Sequence, residues 1–165
     1  MLSLGLLALL PWVAPSTSIS LTEALFPAAP QVAPPGLFIR NVKYRVVTLE
    51  SGERAALVTG ELVNDSASDL KDITIEALLF DSSGRTVASA RASAGSPLTR
   101  GRIKSLSPEL LYQTQYSRPA RDFRLERGRR QEFLIVLFDS HGELLGQSVL
   151  DSAKQFSARV FTVQR

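Results

Sequence analysis

The sequence predicts an all-β domain, an immunoglobulin-like β-sandwich of about seven strands with one short helical crossover. Three observations lead there. In AALVTGELVNDSASDLKDITIEALLFDSSG (55–84), Val58, Gly60 and Leu62 and then Ile73, Ile75, Ala77 and Leu79 recur at the period of two of half-buried strands. The polar clusters Asn64–Asp69 and Asp81–Gly84 have the composition of turns. Finally, QEFLIVLFD (131–139) is a continuous apolar run, as expected of a central strand buried on both faces.

Along the chain, Leu37–Val47 reads as the first strand, with Phe38, Val42, Tyr44 and Val46 on one side and Ser51-Gly52 as its turn. The two strands on either side of Asn64–Asp69 are expected to form the antiparallel nucleus. Gly60, mid-strand, marks a bulge or a close approach. Thr86–Ala94, rich in alanine, is expected as a weaker edge strand broken by Gly95-Ser96-Pro97. A helix is predicted to start at Ser107, with Ser107 as N-cap, Pro108 in the first helical position and Leu106 stapled onto Leu111, and to run to Gln113 or Gln115. LFDSHG at the end of the apolar run echoes LFDSSG at Leu79–Gly84, which reads as one turn chemistry used twice. Phe156–Val163 alternates as a closing strand.

Two segments precede this domain. Residues 1–22 contain no charged side chain, and MLSLGLLALLPWVA is almost wholly apolar. Extended to Leu21, the stretch reaches the ~20 residues that span a bilayer. No Lys or Arg precedes Arg40, which suits the exported flank of a membrane anchor, so residues 1–22 read as an anchor ahead of a signal-like segment and of a buried part of the folded domain. Residues 23–36, with Pro27, Pro30, Pro34 and Pro35, read as a semi-rigid linker, and 37–165 as the folded domain.

Composition excludes several chemistries. The chain has no cysteine and one histidine, which rules out disulfides, thiolate zinc sites, a cysteine nucleophile and multi-histidine metal centres. His141 lies in the turn Asp139-Ser140-His141-Gly142-Glu143 with no serine in a nucleophile-elbow context, so it reads as an exposed turn residue. Asp65, Asp69, Asp72, Asp81 and Asp139 match no calcium loop and read as turn aspartates. Asn64-Asp65-Ser66 fits a glycosylation sequon short enough to arise by chance. No catalytic, metal or cofactor site is assigned. Charge is uneven: between Arg100 and Arg130 nine basic residues stand against three acids, with Tyr112, Tyr116 and Phe123 among them. Arg118, Arg121, Arg124, Arg127, Arg129 and Arg130 are therefore the candidate contacts to a polyanion or partner.

The order GELVNDSASDLKDITIEALLFDSSGRTVASARASAG, a short helix, then Gly128 before the Phe133 strand resembles the bacterial domain of unknown function 3426 family. The likeness covers roughly 37–161 and rests on Val58–Asn64, Asp81, Gly84, Gly128 and Phe133. It implies a non-enzymatic β-sandwich held outside the cytoplasm behind a zinc ribbon and one transmembrane helix. Without cysteine this chain has no zinc ribbon. The expected function is thus a non-enzymatic, membrane-anchored interaction module outside the cytoplasm. It would meet the membrane through residues 1–22 and a protein or envelope polymer through its folded part. The alternative is a basic nucleic-acid- or polyanion-binding domain using the 100–130 segment. Sequence-specific nucleic-acid binding is not expected.

Overall fold

Two antiparallel sheets packed face to face make up the computed structural model, which describes residues 33–117 and 123–164. The predicted anchor at 1–22 and the linker up to residue 32 lie outside the described residues. Among the described residues no helix is long and apolar enough to cross a membrane. The first sheet has the order β1 (Leu37–Thr48), β2 (Arg54–Asn64), β6 (Arg130–Leu137). In the second, β3 (Leu70–Phe80) is central. The strands β4 (Thr86–Ser93) and β5 (Arg124–Leu125) share one of its edges, and β7 (Gln155–Gln164) takes the other. A 3₁₀ turn (Ile103–Ser105) and α1 (Pro108–Tyr116) lie between β4 and β5, and α2 (Gln147–Ser152) precedes β7. The fold is the all-β sandwich that the alternating patterns predict.

Between the sheets, Val58, Leu62, Ile73, Ile75, Leu79, Ile135 and Leu137 form the main core. A second apolar layer, Leu57, Leu134, Val136, Phe138, Ile103 and Leu111, lies on the far side of the first sheet beneath α1. That layer is why the run at 131–139 is apolar at nearly every position: odd residues of β6 face the other sheet and even ones face the helix. The helix begins as its sequence dictates. Ser107 Oγ accepts the Leu110 N–H at 3.4 Å, Pro108 takes a first-turn position and Leu111 is fully buried. It ends at Tyr116, one residue beyond the expected range.

The structure corrects three expectations. First, β2 and β3 do not pair; each is the middle strand of a different sheet. The polar hinge between them carries the chain across the ~10 Å between layers, because two strands with apolar faces can bury those faces against each other as well as share an edge. Second, β6 is an edge strand by hydrogen bonding, and its double-sided burial comes from α1. Third, Phe38 does not share a side with Val42, Tyr44 and Val46. The register shifts between Arg40 and Lys43, where Asn41 has φ +53°, and this bulge reverses the alternation. Leu37 and Ile39 point inward before it, and Phe38 lies outside under the Arg40 guanidinium, 4.5 Å from its ring centroid.

Gly60 is both things its position suggested. It lies opposite the bulge, and a Cβ there would meet Phe133 Cζ at 2.6 Å and the Arg40 carbonyl oxygen at 3.1 Å. At its N-terminal end the fold begins inside the predicted linker: Leu37 N–H donates to the Pro34 carbonyl at 3.1 Å, and Asp65 N–H to that of Gly36 at 2.7 Å. The two-residue β5 and the helix α2, whose Leu150 is buried in the main core, were not foreseen.

Candidate functional site

Of the predicted arginines, Arg124, Arg127, Arg129 and Arg130 lie at the end of the sandwich where the chain crosses twice between sheets. Asn64, fully buried, ties the crossings together. Its Nδ2 donates to the carbonyls of Ser68 (2.9 Å) and Leu125 (2.8 Å), and its Oδ1 accepts from Ser66 N–H (3.0 Å) and Ser66 Oγ (2.6 Å). Its main chain pairs with Arg129 and Gly128. Every polar atom of the side chain is occupied, so the sequon is a structural hub whose amide nitrogen is inaccessible in the folded chain.

Around this hub the basic residues do not share one plane. Arg124 stands beside Lys71 on the outer side of the second sheet, because their neighbours Leu125 and Leu70 point into the core. Arg130 opposes Val63 on the outer side of the first sheet. Arg127 and Arg129 occupy the turn between, and Arg129 pairs with Glu126 at 3.5 Å with both side chains exposed. Arg118 and Arg121 lie outside the described residues. Acids are interspersed: Asp69 accepts the Arg127 main-chain N–H, and Asp65 and Asp72 flank the same end. The recess lined by Asp69, Leu70, Lys71 and Arg124 measures about 120 Å³, well below the ~300 Å³ of the smallest usual ligand pockets.

A charged cluster that sequence reasoning missed lies on the outer face of the second sheet. Glu76, 4% exposed, stands directly between Arg91 of β4 and Arg159 of β7. Arg91 Nε donates to Oε1 at 2.9 Å, and Arg159 Nε and Nη2 donate to Oε2 at 2.7 and 2.6 Å. The Arg91 guanidinium also covers the ring of Phe161, 3.6 Å from its centroid. A bulge in β7 has turned Phe161 onto this face, since the pairing jumps from Thr74↔Thr162 to Ile75↔Val160. Arg91 Nη1 is buried without a partner. The cluster neutralises one carboxylate with two guanidiniums and offers no group placed to act as nucleophile or base.

The lateral sides of the sandwich differ. On the β4/β6 side, the buried side chain of Gln115 replaces a neighbouring strand. Its Oε1 accepts the Val136 N–H at 2.7 Å and its Nε2 donates to the Val136 carbonyl at 2.9 Å, with a longer 3.5 Å approach to the Arg91 carbonyl on β4. Gln131 Nε2 donates to the Glu132 carbonyl a little further along β6. At the end of α1, burial pushes the Tyr116 hydroxyl up to about 12. On the β1/β7 side, Tyr44 stacks on Phe156 with ring centroids 5.8 Å apart, and Phe156 is 41% exposed. The Tyr44 hydroxyl is buried without a hydrogen-bond partner, and burial raises its pKa.

Both DS-x-G turns adopt the geometry that their shared sequence implies. Asp81 and Asp139 each accept through Oδ1 the main-chain N–H groups two and four residues on, and Gly84 and Gly142 both have φ +80°. His141 is exposed in the second turn, where its main-chain N–H serves Asp139. Among the described residues no three histidine, aspartate or glutamate side chains lie close enough together to hold a metal ion. Comparison with known proteins gives no matching family model, no matching curated protein and no matching solved structure.

Proposed function

We propose that this chain is a non-enzymatic interaction domain, held at a membrane by residues 1–22 and displayed outside the cytoplasm on the proline-rich linker. The observation that carries the reading is how the polar side chains are used. Asn64, Glu76, Asp81, Gln115 and Asp139 are all engaged in fixing loops, edges and faces. The side chains without ion-pair partners among the described residues include the surface cations Lys43, Arg45, Lys71, Arg124, Arg127 and Arg130. A chain so arranged offers surfaces for docking. The anchor rests on hydropathy and on the absence of Lys and Arg before Arg40, and the resemblance to the domain of unknown function 3426 family agrees with it.

The reading is tested in cells. A photo-crosslinking residue placed in turn at exposed positions on each face should give a discrete adduct from one face and none from the others. Absence of any adduct from every face would sink it. Anchoring has its own probe, since Trp12 is the only tryptophan: its emission should shift to the blue in lipid, and carbonate should fail to extract the intact chain.

The polyanion reading draws on the same unpaired cations, but they are splayed over two faces and mixed with acids. Only weak, sequence-independent binding is expected from it. Replacing Arg127, Arg129 and Arg130 by Gln should change the slope of log affinity against log salt by at most ~0.9 for each phosphate that is no longer neutralised. Tight, sequence-selective binding at physiological salt would overturn the proposed function in favour of this one.

A further inference from the structure

Resting on the interaction-domain reading, we infer that the free edge of β1 from Tyr44 to Thr48 binds an extended strand whose residues alternate between acidic and apolar. The main chain supplies the first half of the argument. Leu49 N–H donates to the Glu53 carbonyl at 2.8 Å where the β1–β2 hairpin closes. Antiparallel pairing alternates from that point, so Lys43, Arg45 and Val47 exchange their main-chain bonds with β2. Tyr44, Val46 and Thr48 then aim their N–H and C=O groups away from it. β1 pairs with no other described strand, and no described side chain caps these groups. On the opposite side of the sandwich, Gln115 and Gln131 occupy the corresponding edge of β6. Glutamine side chains take up part of one edge, and none takes up the other.

Side chains supply the second half. A strand added beside β1 would place alternate residues next to Lys43 and Arg45 on the outer face and next to Tyr44 and Val46 on the inner one. Lys43 and Arg45 are exposed and have no ion-pair partner among the described residues, so the outer positions call for carboxylates. The inner positions meet the Tyr44–Phe156 stack, where Phe156 presents 41% of its surface, and these call for apolar side chains. β1 and β7 together hold Arg40, Lys43, Arg45 and Arg159 and no acid. The same charges disfavour a second copy of this chain, because β1 against β1 would bring two sets of Lys43 and Arg45 together. Basic residues on an edge repel a like edge and admit an unlike one.

The test uses the full chain and a short fluorescent peptide alternating glutamate and valine, followed by anisotropy. Saturable binding is expected for this peptide and not for its lysine–valine counterpart. N-methylation at alternate residues, which removes main-chain donors and leaves charge unchanged, should abolish it. Lys43→Glu with Arg45→Glu should weaken binding about tenfold or more, with an unchanged thermal melt showing that the fold is intact. Arg127→Gln with Arg130→Gln should leave it alone. Equal binding of the N-methylated or the lysine peptide would overturn the inference, and so would loss of binding in the Arg127 and Arg130 variant. If no peptide binds while crosslinks form from another face, the edge assignment falls and the interaction-domain reading stands.

Discussion

The central strands β2 and β3 are each buried on both faces, yet the layers over their outer faces are built from different chemistry. Outside β2 the cover is apolar, with Leu57, Leu134, Val136 and Phe138 packed beneath Leu111 and Tyr112 of α1. Outside β3 the cover includes an ion cluster, Glu76 held by Arg91 and Arg159 with Phe161 beneath. An apolar layer gains from every methylene removed from water and tolerates modest misfit. An ion cluster gains little net energy, because desolvation offsets the attraction, but it penalises the loss of any one member. The two faces should therefore respond to mutation by different rules.

The sharpest way to break this comparison is at Glu76. Glu76→Ala leaves two guanidiniums facing each other and should cost about 3–5 kcal/mol in chemical denaturation, the upper end applying only if Arg159, half exposed, fails to turn into water. Replacing the whole cluster, with Glu76→Leu, Arg91→Met and Arg159→Leu, should be neutral or stabilising by as much as ~4 kcal/mol. No such rescue exists on the other face. There Leu111→Ala should cost about 2–5 kcal/mol through the cavity it leaves, and no further change that leaves this cavity open should restore it. A triple variant less stable than Glu76→Ala would mean that the second face packs through its charges after all.

Gln115 belongs to neither layer and joins them at one side. Gln115→Leu leaves the Val136 N–H and C=O buried without partners, and about 1–3 kcal/mol should be lost for each group that stays dry. Gln115→Glu, which keeps an acceptor for the Val136 N–H but loses the donor to its carbonyl, should cost less if its charge reaches water. Unchanged stability in Gln115→Leu would assign Gln115 to packing alone.

Gly60 tests the first sheet from its inner side. Gly60→Val forces a side chain into the Phe133 ring and the Arg40 carbonyl and should cost about 1–3 kcal/mol in thermal melts. Thr59→Val, one residue away on the outer face, should change stability by less than about 1 kcal/mol, since no hydrogen bond of its hydroxyl is lost. Equal tolerance of both would contradict the register of β1 and β2.

How much of this was legible in the sequence follows from the range of each interaction. Alternation over 58–63 and 73–79, the capped start of α1 at Ser107 and the two DS-x-G turns are local, and each is readable from neighbouring residues alone. What β2 pairs with is not local: the same alternating strand serves a hairpin or a sandwich, and only the partner face decides. One extra residue at Asn41 sent Phe38 outward; asparagine is uncommon in strands and tolerates positive φ, but that alone does not say that the register shifts. Glu76 fits the polar half of its alternating strand and reads as solvent-facing. Its partners lie 15 and 83 residues away, on strands it meets only after the second sheet forms. The arginine-rich segment was legible as composition, but only the fold shows that Arg124 on β5 and Arg130 on β6 stand in different sheets.

The smallest expected effect is electrostatic and lies in the two similar turns. Asp81 accepts from Ser83 Oγ at 2.6 Å and from Ser83 and Arg85 N–H, and Arg85 Nε and Nη2 approach Oδ2, both at 3.0 Å. Together these hold its carboxyl at about 2, with the Ser83 hydroxyl contributing most. In the second turn His141 replaces Ser83 and Glu143 replaces Arg85, so both extra donors are absent. A carboxylate whose pKa is depressed on folding stabilises the fold above its unfolded value, and that contribution is lost as pH falls towards the folded one. The stability difference between the wild type and Asp81→Asn should therefore be constant near neutrality and narrow between about pH 4 and pH 2. Asn keeps an oxygen for the two main-chain donors, so the variant removes the charge and the Arg85 contacts to Oδ2 while leaving the backbone turn. The same substitution made in an Arg85→Ala, Ser83→Ala background has neither extra donor to lose and should show a smaller change over that interval. Equal pH dependence in the two backgrounds would mean that Arg85 and the Ser83 hydroxyl add nothing to the turn, leaving the shared backbone geometry as the whole of its stability.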